Sequence, residues 1–141
     1  MGASRPKVSG TDTGDLLEHD VKRAILAAYG SRKDLLLWNN PVGVALSLDG
    51  KRPVKYGVPG SADILGVWLR EAHRPINRGM RLGGLETVAY GQAIAIETKR
   101  GKGGVQSKQQ ERWQRAFEQV GGVYILARDI GDVAAVIGPP P

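Results

Sequence analysis

Two short apolar runs, each next to a carboxylate, constrain the fold of this chain most. Asp63 opens the first run, and the second leads directly into Glu97, Thr98 and Lys99. Because side chains alternate between the two faces of a strand, Glu97 and Lys99 project from one face and Thr98 points to the other. If the two runs pair as neighbouring strands, the two carboxylates converge beside an ammonium group.

The predicted convergence favours a site for a hard divalent cation with a basic group next to it. Carboxylate oxygens are ligands that Mg²⁺ prefers, and metal-assisted hydrolysis of a phosphodiester requires such a cation near the phosphate. The alternative is a surface Glu-Lys pair at a strand end and an aspartate in a turn, since Glu-x-Lys alone is common. The presence of both carboxylates, each next to an apolar run, favours the metal site.

The composition is that of a globular protein large enough for one domain with a core. The chain has 141 residues, of which 41% are hydrophobic and 24% are charged. No apolar stretch approaches the length of about 18 residues that a membrane span needs, and the polar N-terminus lacks the apolar core of a signal peptide. The absence of cysteine excludes disulfides, thiolate metal sites and cysteine nucleophiles. We therefore expect a cytoplasmic protein without a membrane partner.

The net charge of +6 favours a polyanionic partner such as DNA. The positive charge is concentrated in an Arg-rich stretch after the first run and around a Gly-rich turn after the second. Counterion release by such groups supplies most of the affinity of a protein for DNA. The predicted nucleic-acid-binding residues are Asn40, Arg70, Arg74, Arg78, Arg81, Arg100, Lys102 and Lys108.

Hydrophobic spacing predicts three helices and five strands in a single α/β sandwich, with a mixed β-sheet between helices. The predicted helices span residues 15–29, 107–120 and 129–137, and the predicted strands span residues 35–38, 44–48, 64–69, 93–97 and 123–127. In the second helix, Trp113, Phe117 and Val120 form the expected apolar stripe. A hairpin-type turn at Asp49 and Gly50 follows the second strand.

The remaining segments are predicted to be irregular. Residues 70–92 are rich in Arg and Gly and show no clear period, so we expect an exposed excursion. Residues 1–12 are expected to be a flexible N-terminal arm, residues 13–138 a single domain, and residues 139–141 a proline tail.

A series of short motifs follows the chain from the first helix to the last strand. Gly60-Ser61-Ala62-Asp63 precedes Glu97-Thr98-Lys99, a pairing that resembles the PD-(D/E)xK nuclease superfamily. Around it lie Glu18 on the first helix, Asn39-Asn40 near Gly43, a Gly/Lys turn, Ser107-x-x-Gln110, Trp113, Gly121-Gly122 and a strand that ends in Ala127-Arg128-Asp129. In order and spacing these motifs resemble the VRR-Nuc (virus-type replication-repair nuclease) family.

The resemblance implies a restriction-endonuclease-like core and an endodeoxyribonuclease that depends on Mg²⁺ or Mn²⁺. Stand-alone members of this type resemble Holliday-junction resolvases, which implies a homodimer on branched or four-way-junction DNA in a bacterial cell or a phage-infected host. One departure is the connection between Asp63 and Glu97, which is longer than usual in the family. The Arg-rich excursion therefore has no family counterpart.

The resemblance also implies a role for each site residue. Asp63 and Glu97 would bind the metal together with the backbone carbonyl of Thr98. Lys99 would orient or activate the attacking water and stabilise the developing charge.

Two further catalytic residues follow from the same resemblance. Glu18 would join through a second metal or an outer-shell water, and Gln110 would position the water or the ligands. Both have structural alternatives, because Ser107-x-x-Gln110 is also a capping box and Asp15-x-x-Glu18 also fits a capping pair.

Other candidates are open to plainer interpretations as well. Asn39-Asn40-Pro41 is first of all a turn, and the loop at residues 100–104 is either a solvated turn or a phosphate contact. For the whole protein, the alternative function is a basic nucleic-acid-binding module without catalytic activity. The paired carboxylates favour the nuclease, because a pure binder gains nothing from negative charge on its DNA face.

Overall fold

The computed structural model describes residues 17–79 and 81–141, and the side chains at positions 77, 78, 81 and 82 are not part of the description. The predicted N-terminal arm, residues 1–12, lies outside the described residues. In chain order the elements are α1 (Glu18–Tyr29), β1 (Leu35–Asn39), β2 (Gly43–Leu46), β3 (Pro53–Tyr56), β4 (Ile64–Arg78), β5 (Arg81–Thr98), α2 (Lys108–Gln119), β6 (Val123–Ala127) and α3 (Ile130–Ile137).

The main sheet is mixed and is flanked by three helices, which confirms the predicted α/β class. Its strand order is β1-β4-β5-β6, with β1, β4 and β5 antiparallel and β6 parallel to β5. The parallel pair is connected through α2, as expected for a crossover between parallel strands. Residues 139–141 follow α3 without secondary structure.

The predicted excursion at residues 70–92 is wrong, because β4 and β5 continue through it as a long antiparallel hairpin. Pairing runs from Ile64 with Ile96 to Arg78 with Arg81, with an irregularity between Pro75 and Asn77. Both faces of this outer part are largely exposed. Without one buried face the sequence shows no period-two alternation, so the strand signal was hidden. We call residues 67–93 the β4–β5 arm.

The hydrophobic core lies between one face of the sheet and helices α1 and α3. Ile94 and Ile96 project from this face of β5 and belong to one buried cluster with Val21, Ile25, Tyr29, Leu35, Ile64, Ile125, Ala127, Val133 and Ile137. Alternation places Ala95 and Glu97 on the opposite face. The core thus fixes the strands whose other face holds the candidate site.

Helix α2 contacts the sheet through aromatic and polar side chains. Trp113 stacks on Phe117 with ring centroids 4.8 Å apart and approaches Tyr124 of β6. Val120, predicted to belong to this apolar stripe, is instead 83% exposed at the end of the helix. Val120 occupies the C-terminal cap position, where the helical periodicity that predicted the stripe no longer holds.

A second, two-stranded sheet consists of β2 and β3, with the predicted turn at Asp49 and Gly50 at its tip. Strand β3 was not predicted, because it is short, begins with Pro53 and has no buried position to create a pattern. Among the described strands, the β2–β3 hairpin pairs with none of the main sheet. None of the described helices is long and apolar enough to cross a membrane.

Candidate active site

The register of β4 and β5 brings Asp63 beside Glu97. Ile64 pairs with Ile96 in an antiparallel register. Asp63, which precedes Ile64, therefore lies opposite Glu97, which follows Ile96. Directly opposed side chains in an antiparallel pair have Cβ atoms about 5 Å apart. The prediction that the two apolar runs pair is therefore confirmed, and the two carboxylates lie together.

Asp63 is held from two sides. Its Oδ2 atom accepts hydrogen bonds from the Thr98 backbone N–H at 2.8 Å and from the Thr98 hydroxyl at 2.7 Å. Its backbone carbonyl accepts from the Asn40 N–H at 2.7 Å, and Asn40 Nδ2 donates to Ser61 Oγ and to the Ala62 carbonyl, each at 2.8 Å. The carboxylate is therefore fixed by β5, and the backbone that carries it is fixed by the segment after β1.

Glu97 is buried and only half satisfied by hydrogen bonds. Its side chain is 2% exposed, and its Oε1 atom accepts from Lys99 Nζ at 2.9 Å and from Gln110 Nε2. Its Oε2 atom is buried as well and has no hydrogen-bond partner; within the described residues it is the one buried side-chain oxygen or nitrogen in this condition. An unpaired buried carboxylate oxygen costs several kcal/mol, so this atom is where a cation is expected.

Gln110 links the helix cap to the site. Its Oε1 atom accepts from the Ser107 N–H at 2.9 Å, which completes the capping box of α2, and also from Lys99 Nζ at 3.1 Å. Its Nε2 atom donates to Glu97. Both interpretations of this residue are therefore compatible, because one side chain caps the helix and fixes the Glu97–Lys99 pair.

Glu18 approaches the site through Lys99. Its Oε1 atom lies 3.6 Å from Lys99 Nζ, and its side chain is about half exposed. Helix α1 begins at Glu18, with Leu17 as its N-cap residue and no side-chain cap. Asp15, the other member of the possible capping pair, lies outside the described residues, so that alternative stays a prediction.

The protonation of the pair reflects its burial. Burial raises the pKa of Glu97 to about 7, the Lys99 hydrogen bond opposes this rise, and the nearby Asp63 carboxylate adds to it. Burial acts to lower the pKa of Lys99, but its hydrogen bond and attraction to Glu97, Glu18 and Asp63 prevail and raise it. Lys99 is therefore a cation at neutral pH. The charged form of Glu97 is disfavoured by burial unless nearby cations compensate it.

An open polar pocket of about 440 Å³ gives solvent access to this end of the sheet. Its walls are the segment after β1, the loop before β4 and the first turn of α2, with Lys22 of α1 at its edge. Asp63 and Gln110 line it directly. Gly60 (φ +81°) lies close to α2, since a Cβ there would be 2.7 Å from Gln109 Cγ. The pocket is large enough for a phosphate and its waters.

The donor set suits a single Mg²⁺ or Mn²⁺ better than zinc. Within the described residues, no three carboxylate or histidine side chains converge on one point. Mg²⁺ keeps several waters and is commonly bound by one or two carboxylates, so Asp63 and the unpaired Glu97 oxygen fit it. Glu18 is paired to Lys99, so it fits the outer shell of such a site, where it would contact a metal-bound water and not the metal itself. The predicted metal-binding role of the Thr98 carbonyl stays a prediction.

The predicted nucleic-acid-binding residues have different surroundings. The Arg70 guanidinium lies 4.0 Å from the Trp68 ring centroid and 3.4 Å from Gln92, whereas Arg74 pairs with Glu86. Arg100, Lys102 and Lys108 are exposed near the site. The amide of Asn40 is engaged with the loop, which gives this residue a positioning role. The side chains of Arg78 and Arg81 lie outside the described part.

Two positioning roles escaped sequence analysis. Thr98 was expected to point away from Asp63, yet its N–H and hydroxyl both hold that carboxylate. Arg128 fixes the turn after β5 by donating to the carbonyls of Arg100 and Gly104, each at 2.8 Å. Both roles depend on contacts between residues distant in sequence, which local patterns do not predict. The one signal in the sequence was the position of Arg128 at the end of a strand.

Comparison of the chain with protein-family models, with curated proteins and with solved structures gives no match.

Proposed function

We propose that this protein is a DNA endonuclease that depends on Mg²⁺ or Mn²⁺. The observation that carries the proposal is the buried Glu97 carboxylate, one oxygen of which has no partner, next to Asp63 and beside Lys99. A protein that only binds DNA has no use for a carboxylate on its pocket wall with a second, buried carboxylate beside it. We also propose that the chain has a restriction-endonuclease-like topology and is a member of the VRR-Nuc family.

The chain's residues divide the work of hydrolysis as follows. Asp63 and Glu97 would hold the metal, which supplies Lewis-acid activation of the phosphate and an acidified water. Thr98 keeps Asp63 in place, and Gln110 keeps Glu97 and Lys99 in place. The Lys99 ammonium, held cationic by its neighbours, stabilises the negative charge that develops on the phosphate oxygens.

Glu18 has a supporting role in the same reaction. Its carboxylate, 3.6 Å from Lys99 Nζ and half exposed, can accept a hydrogen bond from a water next to Lys99. The basic residues around the pocket and on the β4–β5 arm would hold the phosphodiester backbone. The favoured substrate is branched DNA such as a four-way junction.

A homodimer is the assembly we propose, because one site cuts one strand and opposed cuts in a junction need two. On the sheet face that carries Glu97, two neighbouring strands present apolar side chains to solvent: Leu36 and Trp38 from β1, and Val67 and Leu69 from β4. An exposed apolar face of this kind is typical of a protein contact. Light scattering at micromolar concentration tests the dimer.

The central experiment is a cleavage assay on linear duplex, flap, splayed and four-way-junction DNA with Mg²⁺ or Mn²⁺. We expect cutting of branched DNA by the wild type. Glu97→Gln and Lys99→Ala should lose at least about 10³-fold in cleavage, with DNA affinity within a few-fold of wild type, because affinity rests on the basic surface.

The matched control is Glu118→Gln, the same carboxylate-to-amide change at an exposed position of α2 outside the pocket. It should cut normally. If purified Glu97→Gln protein cuts as fast as the wild type, the nuclease assignment is wrong. If no variant and no DNA shows cutting but all bind DNA, the protein is a binding module without catalytic activity.

A further inference from the structure

The β2–β3 hairpin presents a hydrogen-bonded tip with a leucine in solvent. Leu48 at the tip is fully exposed. The tip is closed by hydrogen bonds from the Ser47 N–H to the Arg52 carbonyl at 2.8 Å and from the Gly50 N–H to the Ser47 carbonyl at 2.7 Å. The Asp49 carboxylate accepts from the Ser47 hydroxyl and from the Lys51 N–H. Leu48 is therefore held outward by the turn.

The rest of the hairpin is apolar and basic at the same time. Val44, Leu46, Val54 and Tyr56 are each 43% to 68% exposed; the first two share a face with Lys55, and the other two lie on the opposite face. An isolated two-stranded hairpin is marginally stable in water, so a surface of this kind gains most when a partner covers it. Apolar side chains between cations match a partner with apolar rings and anionic groups, which is the chemistry of nucleic-acid bases and phosphates.

The position of the hairpin relates it to the candidate active site. Both of its ends reach the pocket: Val42 immediately before β2, and Gly60 a few residues after β3. Gly60 packs tightly against Gln109 of α2, so the base of the hairpin is fixed to the helix that carries Gln110. At about 3.3 Å per residue, the tip lies on the order of 20 Å from the pocket rim.

We infer that the β2–β3 hairpin is a wedge that inserts Leu48 between bases at the branch point of a DNA substrate. Lys51, Arg52 and Lys55 contact the flanking phosphates. Apolar side chains that enter a base step in this way unstack the bases and distort the duplex. The inference rests on the proposed function in that DNA is the partner, and it adds how a branch is recognised.

The reach of the hairpin also sets where the cut falls. At about 3.4 Å per nucleotide along one strand, the span from tip to pocket corresponds to about six nucleotides. The scissile phosphate therefore lies a few nucleotides from the branch. A second copy of the chain fits the hairpin less well, because in a two-fold contact the three cations would meet their own copies.

The test uses the fluorescence of 2-aminopurine placed at the branch of a splayed duplex, since this base brightens when it is unstacked. Every protein carries Glu97→Gln and the buffer is metal-free, so that no DNA is cut. The compared variants are Leu48→Ser, the apolar replacement Leu48→Met, and Val120→Ser as a control at another exposed aliphatic position.

We expect the Glu97→Gln parent to raise the fluorescence several-fold at the branch and little in linear duplex. Leu48→Ser should lose most of this rise and about tenfold of the preference for branched over linear DNA. Leu48→Met and Val120→Ser should keep both. A combined Lys51→Ala and Arg52→Ala variant should lower the slope of log affinity against log salt by about 2.

The two proposals can fail separately. A fluorescence rise that depends on Leu48, in a protein whose wild type cuts no DNA, supports the wedge and refutes the nuclease. Cutting by the wild type with a rise that is independent of Leu48 refutes the wedge alone. An absence of DNA binding, or a loss of dimers in Leu48→Ser by light scattering, overturns the wedge as well.

Discussion

The two halves of strand β5 differ in burial and pairing, and under the proposed function this difference separates chemistry from DNA binding. The inner half, residues 94–98, is buried between β4 and β6 and carries Glu97. The outer half, residues 81–93, pairs with β4 alone and is largely exposed in its described part. Electrostatic interactions are strong where water is excluded and weak where it is not. Changes in the inner half should therefore alter catalysis and stability, and changes in the outer half should alter DNA affinity.

The largest effect should come from the unpaired carboxylate of the inner half. Mg²⁺ at 100 times its dissociation constant should stabilise the wild type by about 2.7 kcal/mol, measured as a rise in melting temperature. Glu97→Gln should lose this response and, without metal, should melt at or above the wild-type temperature, because a buried charge is replaced by a neutral amide.

Asp63→Asn serves as the companion variant. It also loses the magnesium response, and because it keeps one oxygen for Thr98 its metal-free melting temperature should be at or above that of the wild type. Strongly lowered melting temperatures for both variants would mean that these carboxylates are structural and not metal-binding.

The next effect separates the two roles of Gln110. Gln110→Ala removes the contacts to Glu97 and Lys99 together with half of the capping box, and should lower cleavage by about 10-fold to 100-fold. Ser107→Ala removes the cap alone. It should cost about 1 kcal/mol of stability and leave cleavage near the wild-type rate.

Gln110→Glu sharpens this comparison. A glutamate still suits the capping box and accepts from Lys99, but it cannot donate to a charged Glu97. Cleavage should fall, and metal-free stability should fall as well, because the new carboxylate replaces a donor beside the buried Glu97 carboxylate and repels it. If Ser107→Ala and Gln110→Ala lose cleavage equally, the glutamine acts only through the helix.

The β4–β5 arm, in which the outer half of β5 pairs with β4, predicts a smaller effect on DNA affinity that depends on salt. Arg70 contacts the Trp68 ring and Gln92, neither of which is a carboxylate, whereas Arg74 pairs with Glu86. Arg70→Ala should lower the slope of log DNA affinity against log salt by about 1, and Arg74→Ala should lower it less. Cleavage at saturating DNA should be unchanged in both. Equal slopes would show that the arm does not hold phosphates.

The smallest effect concerns a carboxylate far from the site. The Arg32 hydrogen bond holds the pKa of Asp34 at about 2, with smaller contributions from attraction to Arg32 and from Trp68. Because this pKa is lower in the folded protein than in the unfolded chain, the stabilisation is complete above about pH 4 and is lost as the pH falls towards 2.

Asp34 is 41% exposed, so solvent screening limits its contribution to about 1 kcal/mol or less. Urea titrations of Asp34→Asn should show this loss at pH 7 and a weaker dependence of stability on pH between 4 and 2. Glu118→Gln, at a surface position of α2, provides the control. An unchanged pH dependence in Asp34→Asn would exclude this pair as a source of acid sensitivity.

Much of the site was predictable because strands impose a simple alternation. The positions of Glu97 and Lys99, their approach to Asp63 and the capping box at Ser107 all follow from short-range rules of strands and helix ends. The third helix and the turn at Gly50 are confirmed for the same reason, with Asp129 as the N-cap residue of that helix and not its first helical residue.

The sequence could not reveal elements that lack a buried face. The β4–β5 arm and β3 are exposed on both sides, so no hydrophobic period marks them, and β3 begins with a proline. At Val120 the sequence predicted a buried side chain that the structure does not have. Helical spacing placed this residue on the apolar stripe of α2, but the helix ends before it and leaves it exposed.

The sequence by itself determined which groups can do chemistry here: two carboxylates and a lysine next to apolar strands, in a basic chain without cysteine. The tertiary structure decided how they are used. It places Thr98 where it donates hydrogen bonds to Asp63, and Gln110 where it hydrogen-bonds with Glu97 and Lys99. It also leaves one Glu97 oxygen buried without a hydrogen-bond partner. Local patterns fix secondary structure over a few residues, whereas burial and hydrogen bonding between distant segments depend on how those segments pack.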